Sequence, residues 1–299
     1  MSRRSWILLT VLAATWGASY LFIKIGLRDF SAPFLVFART ALAALVLLPV
    51  ALHRNALGAL RGRGASVVLL AVLQVAAPFL LITLGERWIP SALAGILVAS
   101  APIWTAALAF TAYAPAERPG TAALAGLGVG MVGVALLFGV DLGGDGLAVL
   151  GGLMVLLAGL GYASGGIEFK RRMAGVDPAA AAAATMSVSA MLTLPAALLT
   201  LPTSAGADSV SALLALGIVG TGLAFLVFYG LIADEGPSRA ALVAYLSPAF
   251  AVGYGVTVLG EPVTAATFAG LALILGGSYL AAGGRQHARR RTAVVSARS

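Results

Sequence analysis

Residues 33–52 read PFLVFARTALAALVLLPVAL, and this stretch decides the fold. Its single charged residue is Arg39. An α-helix rises about 1.5 Å per residue, so a run of roughly 20 apolar residues crosses the apolar core of a bilayer. The stretch therefore predicts a transmembrane helix.

Apolar runs of the same kind fill the rest of the chain. They are separated by Gly, Pro or charged residues and lie at 5–23, 65–84, 90–112, 121–140, 147–167, 179–201, 210–233, 239–259 and 264–283. None shows the strict alternation of apolar and polar residues that is typical of a transmembrane β-barrel. We expect an all-α polytopic membrane protein with ten transmembrane helices.

The composition supports a lipid environment. Of the 299 residues, 60% are hydrophobic and only 10% are charged, which is too few to cover the surface of a water-soluble enzyme. The chain contains no cysteine, so disulfides and cysteine-ligated metal sites are excluded.

The first run has an alternative interpretation. Arg3 and Arg4 precede WILLTVLAA at 6–14, a pattern that also resembles a cleaved signal peptide or a twin-arginine signal. Because further spans follow at once, we expect an uncleaved first helix whose basic end is cytoplasmic.

The distribution of Lys and Arg predicts the orientation. If both termini are cytoplasmic, 15 of the 19 basic residues lie inside, and only Lys24, Arg28 and Arg87 lie outside, with Arg39 within a span. The inside residues are Arg3, Arg4, Arg54, Arg61, Arg63, Arg118, Lys170, Arg171, Arg172, Arg239, Arg285, Arg289, Arg290, Arg291 and Arg298. Such scattered charges do not indicate nucleic-acid binding, whereas the tail 285–298 is suited to anionic lipid.

The two halves of the chain share a pattern. Leu48-Pro49, Pro102 and Ala18-Ser19 recur as Leu194-Pro195, Pro248 (248 − 102 = 146) and Ala163-Ser164, and Glu117, Gly126 and Gly133 recur as Glu261, Gly270 and Gly277 (261 − 117 = 144). An odd number of spans per copy inverts the second copy in the membrane. We expect inverted five-helix repeats at 1–141 and 142–284, a cytoplasmic tail at 285–299, and a central site between the halves.

These motifs resemble a known family. The segments TWGASYLFIKIGL (15–27) and SAPFLVFARTALAALVLLP (31–49), with the paired Ser-Pro and Glu-x(8)-Gly-x(6)-Gly elements, are similar to the EamA-type branch of the drug/metabolite transporter superfamily. The resemblance covers essentially the whole chain and is strongest in the first half. It implies ten helices, cytoplasmic termini and export of small metabolites, amino acids prominent among them. The second copy departs from it by carrying Thr185 where Arg39 would map (185 − 39 = 146).

The sequence does not favour an enzyme. Its histidines are His53 in a loop and His287 in the tail, it contains no HExxH motif, and its acidic residues cluster at the ends of spans. We therefore expect no catalytic residue, no metal site and no cofactor.

Arg39 is the one strongly basic residue inside an apolar run. A guanidinium group that faces a cavity can bind a substrate carboxylate through two parallel hydrogen bonds. The alternatives are snorkelling toward the outer headgroups or a fixed ion pair with Glu86.

Three prolines fall near the middle of predicted spans. Pro78, Pro102 and Pro248 free the carbonyls of Gln74, Val98 and Ala244, which then need partners. In a membrane those partners are neighbouring helices, water or a ligand, so the kinks indicate either an aqueous cavity or structural bends.

The predicted substrate site combines these features with aromatic and hydroxyl side chains at helical spacing. Packing between helices is the alternative role for each of them. The candidate binding residues are Trp16, Ser19, Arg39, Gln74, Pro78, Phe79, Ser100, Trp104, Tyr162, Ser164, Phe225, Tyr229, Ser247 and Tyr254.

Two other patterns indicate helix packing. Thr185, Ser189 and Thr193 form a stripe suited to interhelical hydrogen bonds. The glycines of the fifth and tenth helices, including Gly130 and Gly277, predict close packing as a scaffold or as a homodimer contact.

We expect an inner-membrane, alternating-access exporter of small zwitterionic metabolites, above all amino acids with apolar or aromatic side chains. The alternatives are an exporter of sugars, nucleosides or drugs, or, in another class, a passive channel or a membrane scaffold. No Asp or Glu lies in mid-span, which argues against proton coupling, and Glu168 is the nearest exception.

Overall fold

A computed structural model describes residues 1–108, 111, 121–142 and 145–296. Over these residues the chain is helical and contains no β-strand. Glu117 and Arg118, which the sequence assigned to the repeat pattern and to the inner face, lie outside the described residues. The side chains of the basic tail also lie outside them.

The apolar runs form helices that we number α1 to α10. Their bounds are α1 Arg3–Gly26, α2 Ala32–His53, α3 Gly64–Gly85, α4 Ser91–Leu108, α5 Thr121–Val140, α6 Gly146–Arg172, α7 Pro178–Leu198, α8 Ala207–Glu235, α9 Val243–Leu259 and α10 Ala265–Ser296. Two short helices, Ala56–Leu60 and Pro237–Ala240, lie between them.

Length and composition make seven of these helices able to cross a membrane, namely α1, α2, α3, α4, α6, α7 and α8. The apolar parts of the others are shorter, at Leu124–Val140, Val243–Leu259 and Ala265–Leu280. Met191 and Leu45 expose 71% and 68% of their surface, which water would penalise and lipid accepts. The fold is that of a polytopic membrane protein. The backbone of α10 stays helical past residue 283, where the predicted span ends.

Four helices begin at a polar residue that caps their first turn. The side chains of Ser2, Ser31, Asp145 and Asp177 accept hydrogen bonds from backbone N–H groups two or three residues later. Such caps satisfy donors that a helix leaves unpaired at its start. They fix where the loops end and the spans begin.

Three helices are irregular near their midpoints. The α3 helix contains a π-helical turn at Val72–Ala76 just before Pro78, and α8 contains one at Ala215–Leu223. The α4 helix breaks at residues 99–100, before Pro102, and Ser278 Oγ of α10 donates 2.9 Å to the Ala99 carbonyl. By contrast, α9 continues through Pro248. Pro78 and Pro102 therefore each follow an irregular segment of their helix. The irregular segment of α8 contains no proline.

The helices pack in pairs. The α2 helix lies along α7, α5 along α10, α1 along α8 and α9, and α6 along α3 and α4. A Cβ on Gly277 would lie 2.5 Å from the backbone nitrogen of Gly130, so the predicted glycine contact joins α10 to α5 within one chain. Of the hydroxyl stripe on α7, Ser189 makes an interhelical bond, 3.1 Å to the Ala71 carbonyl of α3, whereas Thr185 and Thr193 bond within α7.

Loops meet at both ends of the helices. We call the end with loops 27–31, 86–90, 199–206 and 260–264 the distal face. There Asp29 Oδ2 accepts 2.8 Å from Gly206 N, and Ser31 Oγ lies 2.7 Å from Thr200 Oγ1. We call the opposite end the basic face, where Arg63 donates 2.9 Å to the Arg172 carbonyl.

Candidate functional site

Arg39 joins three helices at the interior of the fold. Its side chain, carried by α2, is only 7% exposed, and Nε donates 2.8 Å to Thr221 Oγ1 in the π-helical part of α8. Its guanidinium carbon lies 3.8 Å from the ring centroid of Phe79 on α3. A cation over an aromatic face is stabilised by the ring quadrupole, more so when both are removed from water.

This geometry corrects both alternative interpretations of Arg39. The group is buried between helices rather than extended to headgroups, and no salt bridge joins it to Glu86 among the described residues. In the part of the chain that the structure describes, its side-chain hydrogen bond uses Nε, so the two terminal NH₂ groups of the fork are the donors that another acceptor could use. Tyr162, Tyr20 and Glu86 are the titratable groups that interact with it electrostatically.

Thr221 is held in place by the irregular backbone of α8. Its hydroxyl donates 2.8 Å to the carbonyl of Leu216, five residues earlier, and accepts from Arg39. Because the hydroxyl hydrogen of Thr221 is used in this bond within the π-helical turn, the oxygen is oriented to accept from Arg39. Such π-turns occur often at functional sites.

A second group of candidate residues lies where α3 and α4 meet α6. A Cβ on Gly165 would collide with the side chain of Gln74, and one on Gly161 would lie 3.0 Å from Pro78. The glycines of α6 therefore give the bulky residues of α3 room to approach.

The same helix admits the broken part of α4. A Cβ on Gly159 would lie 3.2 Å from Ser100 Oγ and 3.4 Å from Trp104 Nε1. Both polar atoms are buried and have no hydrogen-bond partner in the described part of the chain. Buried polar groups are normally paired, so an unpaired indole and hydroxyl side by side are typical of a place where a ligand or water binds.

Aromatic side chains of α1 and α8 form a third group. The ring centroid of Trp16 lies 6.1 Å from Phe225 and 5.2 Å from Phe228, and Phe225 lies 5.8 Å from Tyr229. Phe79 and Tyr162 pack into the same apolar cluster as Phe225 and Tyr229, which connects this group to Arg39.

The remaining candidates make other contacts. Ser164 Oγ donates to the Leu160 and Gly161 carbonyls of its own helix, and Ser19 Oγ donates 3.3 Å to the Thr15 carbonyl. Ser247 is buried on α9, with its carbonyl 2.8 Å from where a Cβ on Gly17 would lie. Tyr254 stacks on Phe250 of the same helix at 6.3 Å.

Three further residues belong to the neighbourhood of Arg39 but were not among the sequence candidates. Thr221 bonds to Arg39, Tyr20 interacts with it electrostatically, and so does Glu86, which is completely buried. The Glu168 carboxylate, the nearest acidic candidate from the sequence, is instead paired with Arg171 at 3.1 Å and with Arg172.

Two cavities lie away from these groups, toward the distal face. One of about 440 Å³ lies between α1, α8 and α9, lined by residues that include Phe22, Arg28 and Asp208. The other, about 150 Å³, lies between the starts of α4 and α10 near Asp141.

Comparison with known proteins finds a family, a curated relative and a solved structure with the same fold. The model of the EamA-like transporter family matches the chain twice, at residues 4–139 and 149–283. A relative from Salmonella typhimurium (strain LT2), named "Probable amino-acid metabolite efflux pump", is 28% identical over 309 residues, which cover 99% of this chain and all of the relative. A solved crystal structure, 22% identical, aligns with a TM-score of 0.66 over 96% of this chain and 99% of its own, and shows the same fold.

Proposed function

This chain belongs to the EamA-like transporter family, and from that premise we propose that it exports amino acids, above all those with apolar or aromatic side chains, by alternating access. The relative named as a probable amino-acid metabolite efflux pump supports the substrate class. The proposal assigns no catalytic residue, cofactor or resident metal to the chain.

Arg39 is the observation that carries the proposal. A guanidinium group this deep in a membrane protein is costly unless it performs a function or is fully paired. Thr221 takes one of its donors and Phe79 covers one of its faces, so the terminal NH₂ groups remain for a carboxylate. An amino acid with an apolar or aromatic side chain has one carboxylate, which matches a single cationic group.

Two of the residue groups described above suit the rest of an amino acid. Phe79, Tyr162 and Phe225 offer apolar area for a side chain. Trp104 and Ser100 offer hydrogen-bonding groups with no protein partner in the described residues. Pockets of this kind orient a small molecule with a few polar contacts and discriminate weakly among apolar groups.

We also propose ten spans arranged as two inverted repeats, divided between residues 141 and 142. Two observations support the arrangement. The family model matches each half separately. The packing of the helices also follows the repeat, in which α1 to α5 correspond to α6 to α10. Under this correspondence the pair α1–α9 becomes α6–α4 and the pair α3–α6 becomes α8–α1, and all four pairs are in contact. The substrate site then lies on the pseudo-twofold axis between the halves.

The location we propose is the bacterial inner membrane, with both termini in the cytoplasm. The basic face carries Arg54, Arg61, Arg63 and the cluster at 170–172, whereas the distal face carries few basic residues. The positive-inside rule assigns the basic face to the cytoplasm.

Cysteine labelling tests the orientation. The chain has no cysteine, so single variants are free of background. A periplasm-restricted thiol reagent should label Asp145→Cys and leave Arg61→Cys unlabelled; both positions are exposed. Labelling of position 61 with protection of 145 would contradict the proposed topology.

Counterflow in liposomes tests the function. Vesicles that contain purified protein and are preloaded with one unlabelled compound are given a trace of the same compound in labelled form, for a panel of amino acids, sugars, nucleosides and cationic drugs. We expect apolar and aromatic amino acids to exchange fastest. Exchange of sugars, nucleosides or drugs without amino acids would overturn the substrate class, and flux without saturation would indicate a channel.

A homodimer through α5 and α10 is a further proposal. The glycine faces of these helices already meet within one chain, so the contact would use outward apolar residues such as Leu124, Met131 and Val132. Mass measurement of the protein in lipid discs distinguishes one copy from two.

A further inference from the structure

Glu86 is an acidic residue buried at the end of α3. It caps the C-terminal end of α3, its side chain is 0% exposed, and neither carboxyl oxygen has a hydrogen-bond partner in the described residues. Thr83 Oγ1, three residues earlier, is also buried and unpaired. Two unpaired polar groups three residues apart lie on one face of a helix and point to a common ligand.

That face of α3 leads to Arg39. Phe79, Thr83 and Glu86 have the i, i+4, i+7 spacing of a single helical stripe, and Phe79 is the residue on which Arg39 stacks. Seven residues of helix span roughly 10 Å, and side chains lean toward the helix N-terminus. Glu86 is among the charged groups that interact with Arg39 electrostatically, so the two ends of this stripe lie near each other.

The charged groups around Glu86 form hydrogen bonds with atoms other than its carboxyl oxygens. Lys24 of α1 donates 2.5 Å and 2.9 Å to the carbonyls of Glu86 and Ile89, not to the carboxyl group. Glu261, from the loop between α9 and α10, accepts 2.7 Å from Ser91 N and 3.0 Å from Ala92 N.

The other elements around Glu86 leave it equally unpaired. Arg39 of α2 is bonded to Thr221, and Tyr20 of α1 is the remaining titratable neighbour. The α6 helix contacts the end of α3 through the backbone of Gly151. An ionised carboxylate without hydrogen bonds is strongly disfavoured at such a site, which favours the neutral acid form of Glu86 in the substrate-free protein.

We propose that Arg39 and Glu86 bind opposite ends of one zwitterion, and that the ammonium group of the amino acid displaces the proton of Glu86. This inference rests on the proposed amino-acid export and adds its energy coupling. It reverses the sequence-based argument against proton coupling, which considered acidic residues in mid-span and did not foresee the burial of Glu86 at the end of α3. Since proton and substrate exclude each other, each amino acid exported is exchanged for one proton taken up.

The step involves proton transfer alone. As the substrate binds from the cytoplasmic side, the carboxylic acid of Glu86 gives its proton to water on that side, and the carboxylate pairs with the substrate ammonium. After the site opens to the distal side, the ammonium leaves and the carboxylate takes a proton from water there. Charge balances, because a proton replaces a zwitterion of zero net charge and the ionised Glu86 becomes neutral again.

Proton release on binding tests the exchange directly. In weakly buffered detergent solution with a pH dye, wild-type protein should release one proton for each amino acid bound. The same acid without its amino group should bind Arg39 and release none. The Glu86→Gln variant should release none with either compound, while Asp208→Asn, which alters an exposed carboxylate at the distal face, should behave as wild type.

Gradient-driven transport tests the coupling. Vesicles with an acidic interior should accumulate amino acid against its gradient, by up to about tenfold for each pH unit if one proton is exchanged. With Glu86→Gln the gradient should drive no accumulation, and counterflow of the amino acid should weaken because its ammonium group loses the carboxylate that pairs with it. Accumulation by Glu86→Gln at the wild-type level, or accumulation driven by a sodium gradient instead, would overturn the proposal.

An infrared measurement keeps the two proposals distinguishable. The spectrum of substrate-free protein should contain a carboxylic acid C=O band that is lost in Glu86→Gln, whatever the substrate proves to be. If wild-type protein shows no counterflow of any amino acid but retains this band, the substrate class fails. If counterflow is present and the band is absent, or amino-acid binding releases no proton, the coupling fails alone.

Discussion

The two halves of the chain share a pattern of helices and differ in where they place charge. Arg39 and Glu86 of the first half correspond to Thr185 and Ile232 of the second (185 − 39 = 146; 232 − 86 = 146). In the other direction, Thr221 of the second half, which accepts the hydrogen bond of Arg39, corresponds to Val75. The aromatic position is kept in both halves, as Phe79 and Phe225.

This difference shows how a duplicated scaffold can hold a site that is used once. A symmetric pair of arginines would place two cations in one buried space, where each would raise the cost of the other. With one arginine and one acid in the first half and uncharged residues at the corresponding positions of the second, this pair of groups is present once rather than twice. Such a pair matches the two ends of a small zwitterion.

Moving the charge to the other half should have the largest effect. We expect the double variant Arg39→Thr/Thr185→Arg to lose amino-acid counterflow, because Val75 cannot accept the hydrogen bond that Thr221 accepts and Ile232 provides no acid. Counterflow and melting temperature are measured beside both single variants. Wild-type transport by the double variant would mean that the halves are interchangeable.

The glycine contact between α5 and α10 predicts the next largest effect, on stability alone. Gly277→Leu forces a side chain against the backbone of Gly130 and should cost about 1–3 kcal/mol of folding free energy. Gly276→Leu is the matched control, since a Cβ there meets nothing within 4 Å. Thermal unfolding in detergent measures both. Equal melting temperatures for Gly277→Leu and Gly276→Leu, or a changed substrate ranking for Gly277→Leu, would contradict a purely structural role for this contact.

Replacing the aromatic walls should change selectivity. Trp104→Ala on the first half and Tyr229→Ala on the second should each alter the preference between aromatic and small amino acids, by an amount near the 1–3 kcal/mol that such pockets discriminate, or about tenfold and more. Competition assays measure the ranking, with Trp6→Ala, half exposed on the outer surface, as control. An unchanged ranking in both variants would remove these residues from the site.

The smallest effect, on stability, is expected from replacing the carboxylates that cap helices at the distal face. Asp29 of the first half caps α8 of the second half, and Glu261 of the second half caps α4 of the first. Hydrogen bonds from the Ser209 side chain and Gly206 N hold the pKa of Asp29 below its ordinary value. Because the folded pKa is lowered, this contribution is present above the ordinary pKa of Asp and is lost as pH falls through the folded value.

We therefore expect Asp29→Asn to lower the melting temperature slightly at neutral pH and not in strong acid. Glu261→Gln, which alters a more enclosed cap on Ser91 and Ala92, should lower it further. If the difference in melting temperature between Asp29→Asn and wild type grew as the pH fell, the ionised Asp29 carboxylate would not be the stabilising form.

The helices could be predicted from the sequence because each apolar run is bounded by a cap or a charge that acts locally. The caps at Ser31 and Asp177 are examples. The irregular segments could be predicted only where a proline causes them, as at Pro78 and Pro102. The π-helical turn of α8 has no proline, and its Thr221 is bonded across the fold to Arg39, so no local pattern announces it.

The site was predictable to a similar degree. Arg39 stands out because a charge inside an apolar run has few explanations, and Phe79 followed from its spacing. Glu86 looks like an interfacial residue in the sequence, since it lies at the end of a span beside Arg87. Its complete burial results from contacts of α1 and α6, which the sequence of α3 does not contain.

The most direct test of the account compares an amino acid with its amide, which keeps the ammonium group and lacks the carboxylate. We measure counterflow of both by wild type, Arg39→Lys and Arg39→Ala. A hydrogen bond to a charged group contributes about 1.5–3 kcal/mol, so Arg39→Ala should weaken amino-acid transport by about tenfold to a hundredfold, spare the amide, and leave Arg39→Lys between. An equal loss for both substrates in folded protein would show that Arg39 supports the structure and does not bind the carboxylate.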